Sequence, residues 1–149
     1  GLAPTPHLIA DDTKQAKATA RLMEYLTRLF CPAQRKSVLC YNLVALIATF
    51  GDTHWEIPIA LALWLPKRHP KYQSKGTMLT QMVKALCAEA ETRGISLDGV
   101  LFSCDAAYSR VNVLLQQVIW GGMTLITKGS GNLTFIIGKT SRRAKNIKN

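Results

Sequence analysis

Val100-Leu101-Phe102-Ser103-Cys104-Asp105 is the stretch that decides the fold. A mostly apolar run this short, closed by an acid, is what a strand buried on both faces of a sheet produces. It is preceded by a helical stripe, Met78, Leu79, Met82, Val83, Leu86, Cys87 and Ala90, that stops at Gly94. A second stripe follows it, Val111, Leu114, Leu115, Val118 and Ile119, with Ser109 placed to cap it and Gly121-Gly122 to end it. Residues 123–127 then read as a strand, and 133–137 as one more. Strands that alternate with helices require right-handed crossovers, so the second half predicts a mixed sheet covered by helices. The class is α/β.

Toward the amino terminus the pattern changes. Residues 37–50 are rich in aliphatic and aromatic side chains and end at Gly51-Asp52; residues 55–65 have the same character and stop at Pro66. They predict two antiparallel strands joined by a turn over 51–54, with Pro58 assigning the second to a sheet edge, where a missing amide hydrogen costs nothing. Leu22, Met23, Leu26, Leu29 and Phe30 recur at helical spacing, which predicts a helix over 16–30 closed by Cys31-Pro32. Residues 7–10 form a short strand running into Asp11-Asp12.

With 149 residues, 48% of them hydrophobic, the chain holds one packed domain rather than a disordered segment. Nineteen Lys and Arg against nine Asp and Glu give a formal charge of +10, which favours a polyanion as partner, nucleic acid first. Cys31, Cys40, Cys87 and Cys104 form no CxxC pair and are expected to be free thiols in a reducing cytoplasm. His7, His54 and His69 are scattered, with no cysteine at zinc-ligand spacing. No signal peptide is recognisable, and no apolar run reaches the ~20 residues of a membrane span. Trp55, Trp64 and Trp120 lie in apolar runs and are expected in the core, whereas Glu56 is expected in solvent.

Location rather than residue type singles out the acids. Asp11 and Asp12 close the first strand and Asp105 closes the buried one. Ligands of open α/β sheets sit beyond the carboxyl ends of the strands. If these strands are parallel neighbours their carboxylates converge, and Mg²⁺ or Mn²⁺ is the natural counter-ion. The alternative is ordinary: Asp11 or Asp12 caps a helix and Asp105 sits in a turn. Lys67, Arg68, His69, Lys71 and Lys75 form a basic approach to the next helix, suited to phosphates without reading sequence.

Ile9-Ala10-Asp11-Asp12-Thr13, with Lys17 four residues on, resembles the first-aspartate motif of insertion-sequence transposases of the DDE class. Phe102-Ser103-Cys104-Asp105-Ala106-Ala107-Tyr108 resembles their second motif, an Asp followed three residues later by Tyr. Thr127-Lys128-Gly129-Ser130-Gly131-Asn132 resembles the Lys/Arg…Asn stretch that often follows, and the two hydrophobic strands between are similar as well. The resemblance covers nearly all of the chain to about Ile137. It implies a ribonuclease H-like core over 1–138, followed by a basic tail over 139–149. It also implies DNA as partner, contacted at the motif residues Lys17, Lys128 and Asn132, to which the basic cluster adds Lys67, Arg68 and Lys71, and a homo-oligomer assembled on DNA ends. Two divalent ions, Mg²⁺ or Mn²⁺, would be held by Asp105 with Asp11 or Asp12, and the family's Asp-any-Thr pattern favours Asp11. They activate water, and then a DNA 3′ hydroxyl, for attack on phosphodiesters.

The chain departs from that pattern in one chemical respect. The family's third ligand is a Glu further along, and after Asp105 this sequence holds no Asp or Glu. The expectation is a core that is catalytically incomplete by itself, either a fragment or a decayed copy.

Overall fold

The computed structural model describes residues 6–17, 23–51, 55–108 and 111–127, together with the backbone of Thr134–Ile137 and Thr140–Arg143. Its centre is β3 (Lys36–Phe50), a fifteen-residue strand with partners along both edges. β1 (Pro6–Ala16) runs antiparallel to β3 from Pro6↔Phe50 to Ala16↔Cys40. On the other edge of β3, two strands follow end to end. β2 (Thr27–Cys31) pairs with Lys36–Cys40, and β4 (Glu56–Leu63) pairs with the stretch from Leu43 to Thr49. β5 (Leu101–Cys104) lies parallel to β1, and β6 (Thr124–Thr127) lies parallel to β5. The order across the six-stranded sheet is β2-β3-β1-β5-β6, with β4 on β3 beside β2. β7 (Thr134–Ile137) and β8 (Thr140–Arg143) form a separate antiparallel pair, and the expected boundary after residue 138 falls between them.

The helix expected over 16–30 is absent from the described part of that stretch. β1 continues to Ala16, and residues 27–31 form β2. The long β3 offers open backbone at both edges of its first half, and pairing there outweighs a short stripe of helical spacing. Within β2 burial alternates: Thr27, Leu29 and Cys31 are half-buried while Arg28 and Phe30 are exposed, which is a period of two. A single 3-10 turn, Pro32–Gln34, then Arg35 at φ 49°, returns the chain into β3.

Pro58 sits on the edge strand as expected, beside a register shift between Leu46 and Ile47 that absorbs one extra residue. α1 (Lys75–Thr92) is capped by Ser74, whose hydroxyl accepts the Thr77 amide hydrogen, and it ends before Gly94 at φ 63°. α2 (Asn112–Trp120) ends at Gly121. Ser109, the expected cap, lies outside the described residues.

Both helices pack on one face of the sheet. Leu8, Ala10, Val44, Leu46, Ala48, Phe102 and Cys104 point that way and join Leu79, Val83, Leu114 and Val118 in one core. Among the described residues no helix covers the other face, where Leu61, Leu101 and Ile126 are exposed. The sheet is therefore covered by helices on one side, and β5 is buried on one face rather than two. Trp55 and Trp120 are 70% and 76% exposed, and only Trp64 packs against the core, so the expectation of three core tryptophans fails for two. Apolar runs at an edge strand and at a helix end supply too few neighbours to bury an indole.

Candidate functional site

β1 and β5 pair in parallel from His7↔Leu101 to Ala10↔Cys104. Asp11 and Asp105 each follow the last paired residue, so they stand side by side where β5 stops and β1 continues. This is the parallel neighbourhood that convergence of the two carboxylates requires. β1 does not end at Asp11-Asp12; it runs on against β3, which places the two acids on opposite faces of one strand.

Asp12 faces the helices, on the side of Leu8 and Ala10. Its Oδ2 accepts from Lys75 Nζ at 2.6 Å and from Asn42 Nδ2 at 3.2 Å, and its Oδ1 accepts from Tyr108 Oη–H at 3.1 Å. Lys75 opens α1, and its ammonium also lies 5.0 Å from the centre of the Trp64 ring. Gly76 lets the start of α1 pack against Val111, because a Cβ there would meet Val111 Cγ2 at 2.7 Å. Burial works to raise the Asp12 pKa. The Lys75 hydrogen bond and charge, with Asn42 and Tyr108, outweigh it and hold the carboxyl below its ordinary value. Burial, then the Asp12 charge and hydrogen bond, push the Tyr108 phenol well above its ordinary range, with Asp11 and Asp105 adding to the effect. Tyr108 therefore keeps its proton and donates it in a hydrogen bond to Asp12.

Asp11 faces the open side and is exposed. Its Oδ1 accepts the Asp12 amide hydrogen at 2.7 Å, and no described cation pairs with it. Asp105 is exposed as well; its Oδ1 accepts the Ala106 amide hydrogen, and its carbonyl accepts that of Tyr108 at 2.9 Å. Nearby on the open face His7 Nε2 lies 2.9 Å from Ser103 Oγ.

Asp11 and Asp105 keep carboxylate oxygens available, and hard oxygen donors suit Mg²⁺ or Mn²⁺. Asp12 already holds an ammonium where a metal would have to go. Among the described residues no group of three or more His, Cys, Asp or Glu side chains is arranged to hold a metal ion. Among the described residues, Asp11 and Asp105 are thus two exposed carboxylates at one strand end, outside any larger group of ligands. Burial raises the pKa of Cys40 and Cys104, which keeps those thiols protonated and unreactive. All four cysteines are free, as expected.

Cations gather at the same end of the sheet. Lys17 follows β1, and its amide donates to Leu39 O at 2.9 Å. Lys67, Arg68 and Lys71 are exposed on the turns between β4 and α1, the segment that delivers Lys75 to Asp12. Lys14, Arg28, Arg35 and Lys36 are exposed on or beside the paired ends of β1, β2 and β3. Lys128 and Asn132 lie outside the described residues. A groove of about 590 Å³ between β4 and α1, lined by Ile59, Ala60, Met78, Met82 and Leu86, contains none of the expected site residues.

Three partners of Asp12 were not legible as such. Asn42 carried a signal, a polar residue inside an apolar strand that proves wholly buried. Tyr108 belongs to the second motif, but nothing in sequence connects it to Asp12. Lys75 reads as one more cation of the basic segment.

No helix among the described residues is long and apolar enough to cross a membrane. Comparison with protein families, with curated proteins and with solved structures finds no match to this chain.

Proposed function

We propose that the chain is part of a ribonuclease H-like catalytic core of a DDE-class DNA transposase, carrying two of its metal-binding carboxylates, Asp11 and Asp105. The observation that carries this is the parallel β1–β5 pair, which sets both acids, drawn from distant parts of the chain, at one strand end. The order β4-β3-β1-β5-β6, three antiparallel strands followed by two parallel ones, supports it, as does the basic end of the sheet. Asp11 and Asp105 would hold Mg²⁺ or Mn²⁺, which supplies charge neutralisation and an activated water for phosphodiester attack. Tyr108 and Lys75 hold Asp12, and through it the middle of β1 beside Asp11. The exposed cations hold the phosphate backbone.

Calorimetric titration of Mn²⁺ into the wild-type chain and Asp105→Ala tests the proposal. Binding in the wild type that disappears in the variant is the expected result. Equal binding in both, or none in either, would overturn the two-carboxylate site.

A second reading is a basic DNA-binding domain without chemistry. It is favoured by one observation, that no described group of three ligands is present. It predicts DNA affinity that falls steeply with salt and ignores Mg²⁺.

A further inference from the structure

The cations at the basic end of the sheet are interleaved with aromatic rings. Tyr25, in the turn before β2, is 42% exposed and meets the His69 ring edge-on, with centroids 5.4 Å apart. Tyr72 meets Trp64 edge-on at 6.0 Å, and Trp64 is pinned by its indole N–H to Gln73 O at 3.1 Å. The His69 and Tyr72 backbones are joined in one turn, Tyr72 N–H to His69 O at 2.9 Å, so the two ring pairs follow one another in series along one segment. That series ends at Lys75, on the Trp64 face and on Asp12. Lys67, Arg68 and Lys71 stand exposed along it.

In a T-shaped pair the edge of one ring meets the face of the other, so each ring keeps at least one face free of its partner; Tyr25 is exposed, and His69 and Tyr72 are half-buried. A duplex presents phosphates but hides its base faces; an unpaired strand presents both. Rings alternating with cations match the second. We infer that this face, built on Tyr25, His69 and Tyr72 with Lys67, Arg68 and Lys71, takes a single-stranded DNA segment. The inference rests on the DNA partner proposed above and narrows it to unpaired nucleotides.

The test uses fluorescein-labelled oligothymidylate and a labelled duplex of equal length, titrated at one salt concentration and read by anisotropy. Tyr25 sits at φ 63°, so it is replaced by Asn, which tolerates that backbone. The wild type should prefer the single strand by about tenfold, and Tyr25→Asn should remove about five- to tenfold of single-strand affinity while leaving duplex affinity within about twofold. Tyr72→Leu, which keeps an apolar side chain beside Trp64, should act in the same direction. Lys67→Gln with Arg68→Gln should weaken both DNA forms together. Equal losses on the two forms after Tyr25→Asn, or no loss on either, would overturn the stacking face while leaving DNA binding intact. A wild-type chain that binds neither form at low salt would overturn the DNA partner itself.

Discussion

Asp11 and Asp12 are neighbours in sequence with the same side chain, yet the fold gives them opposite surroundings. Asp12 turns toward the helices and meets an ammonium, an amide and a phenol. Asp11 turns toward the open face, with one backbone hydrogen bond and no described cation. Strand alternation makes the division, and Lys75 pairs with Asp12. The comparison teaches that a pair of acids can divide the work, one holding the scaffold and the other left available to a ligand.

The largest expected difference is in stability. Asp12→Ala strands a partly buried ammonium and leaves Tyr108 without its acceptor, and should cost about 2–4 kcal/mol. Asp11→Ala removes an exposed side chain and should stay within about 0.5 kcal/mol. Urea denaturation of the two variants compares them directly, and equal losses would erase the distinction. Metal affinity should order them the other way: Asp11→Asn should weaken Mn²⁺ binding at least about tenfold more than Asp12→Asn. Calorimetry showing the reverse order would make Asp12 the ligand and Lys75 its displaceable substitute.

Tyr108→Phe, which removes one hydrogen bond to a carboxylate and nothing else, should cost about 1 kcal/mol. Measured in an Asp12→Asn background that cost should shrink, because the charged acceptor is gone; an unchanged cost would place the phenol's main partner elsewhere. The last effect is confined to acid. A carboxyl held below its unfolded value stabilises the fold above about pH 4, and that contribution is lost as pH falls through the lowered pKa. Between pH 6 and pH 3, then, wild-type stability should fall more steeply than that of Asp12→Asn. Parallel curves would show that Lys75 does not hold the acid in solution.

Much of this architecture was legible where one element decides one pattern. The stripe over α1 with its stop at Gly94, the strand closed by Asp105, and the edge strand marked by Pro58 are local signals that packing left intact. The error over 16–30 came from a stretch whose structure is settled by a distant partner, the free edges of β3. The same cause hid half of the site. That Asp11 and Asp105 stand together follows from strand pairing and could be anticipated only conditionally. That Lys75, Asn42 and Tyr108 all choose Asp12 depends on side-chain directions from three further elements, which no spacing encodes.

The parallel strand pair at the centre has a kinetic consequence. β1, β2, β3 and β4 pair with one another within the first 63 residues, whereas the β1–β5 seam must wait for β5; His7 and Ser103, hydrogen-bonded across that seam, are 96 residues apart in the chain. Closing so long a loop carries an entropic penalty that only late contacts offset, so the seam forms after the hairpins. During synthesis on the ribosome the β3-centred meander is complete before β5 has emerged. The acids are then brought together in the last stage of folding, and a nascent chain stalled before residue 101 has a sheet without a site.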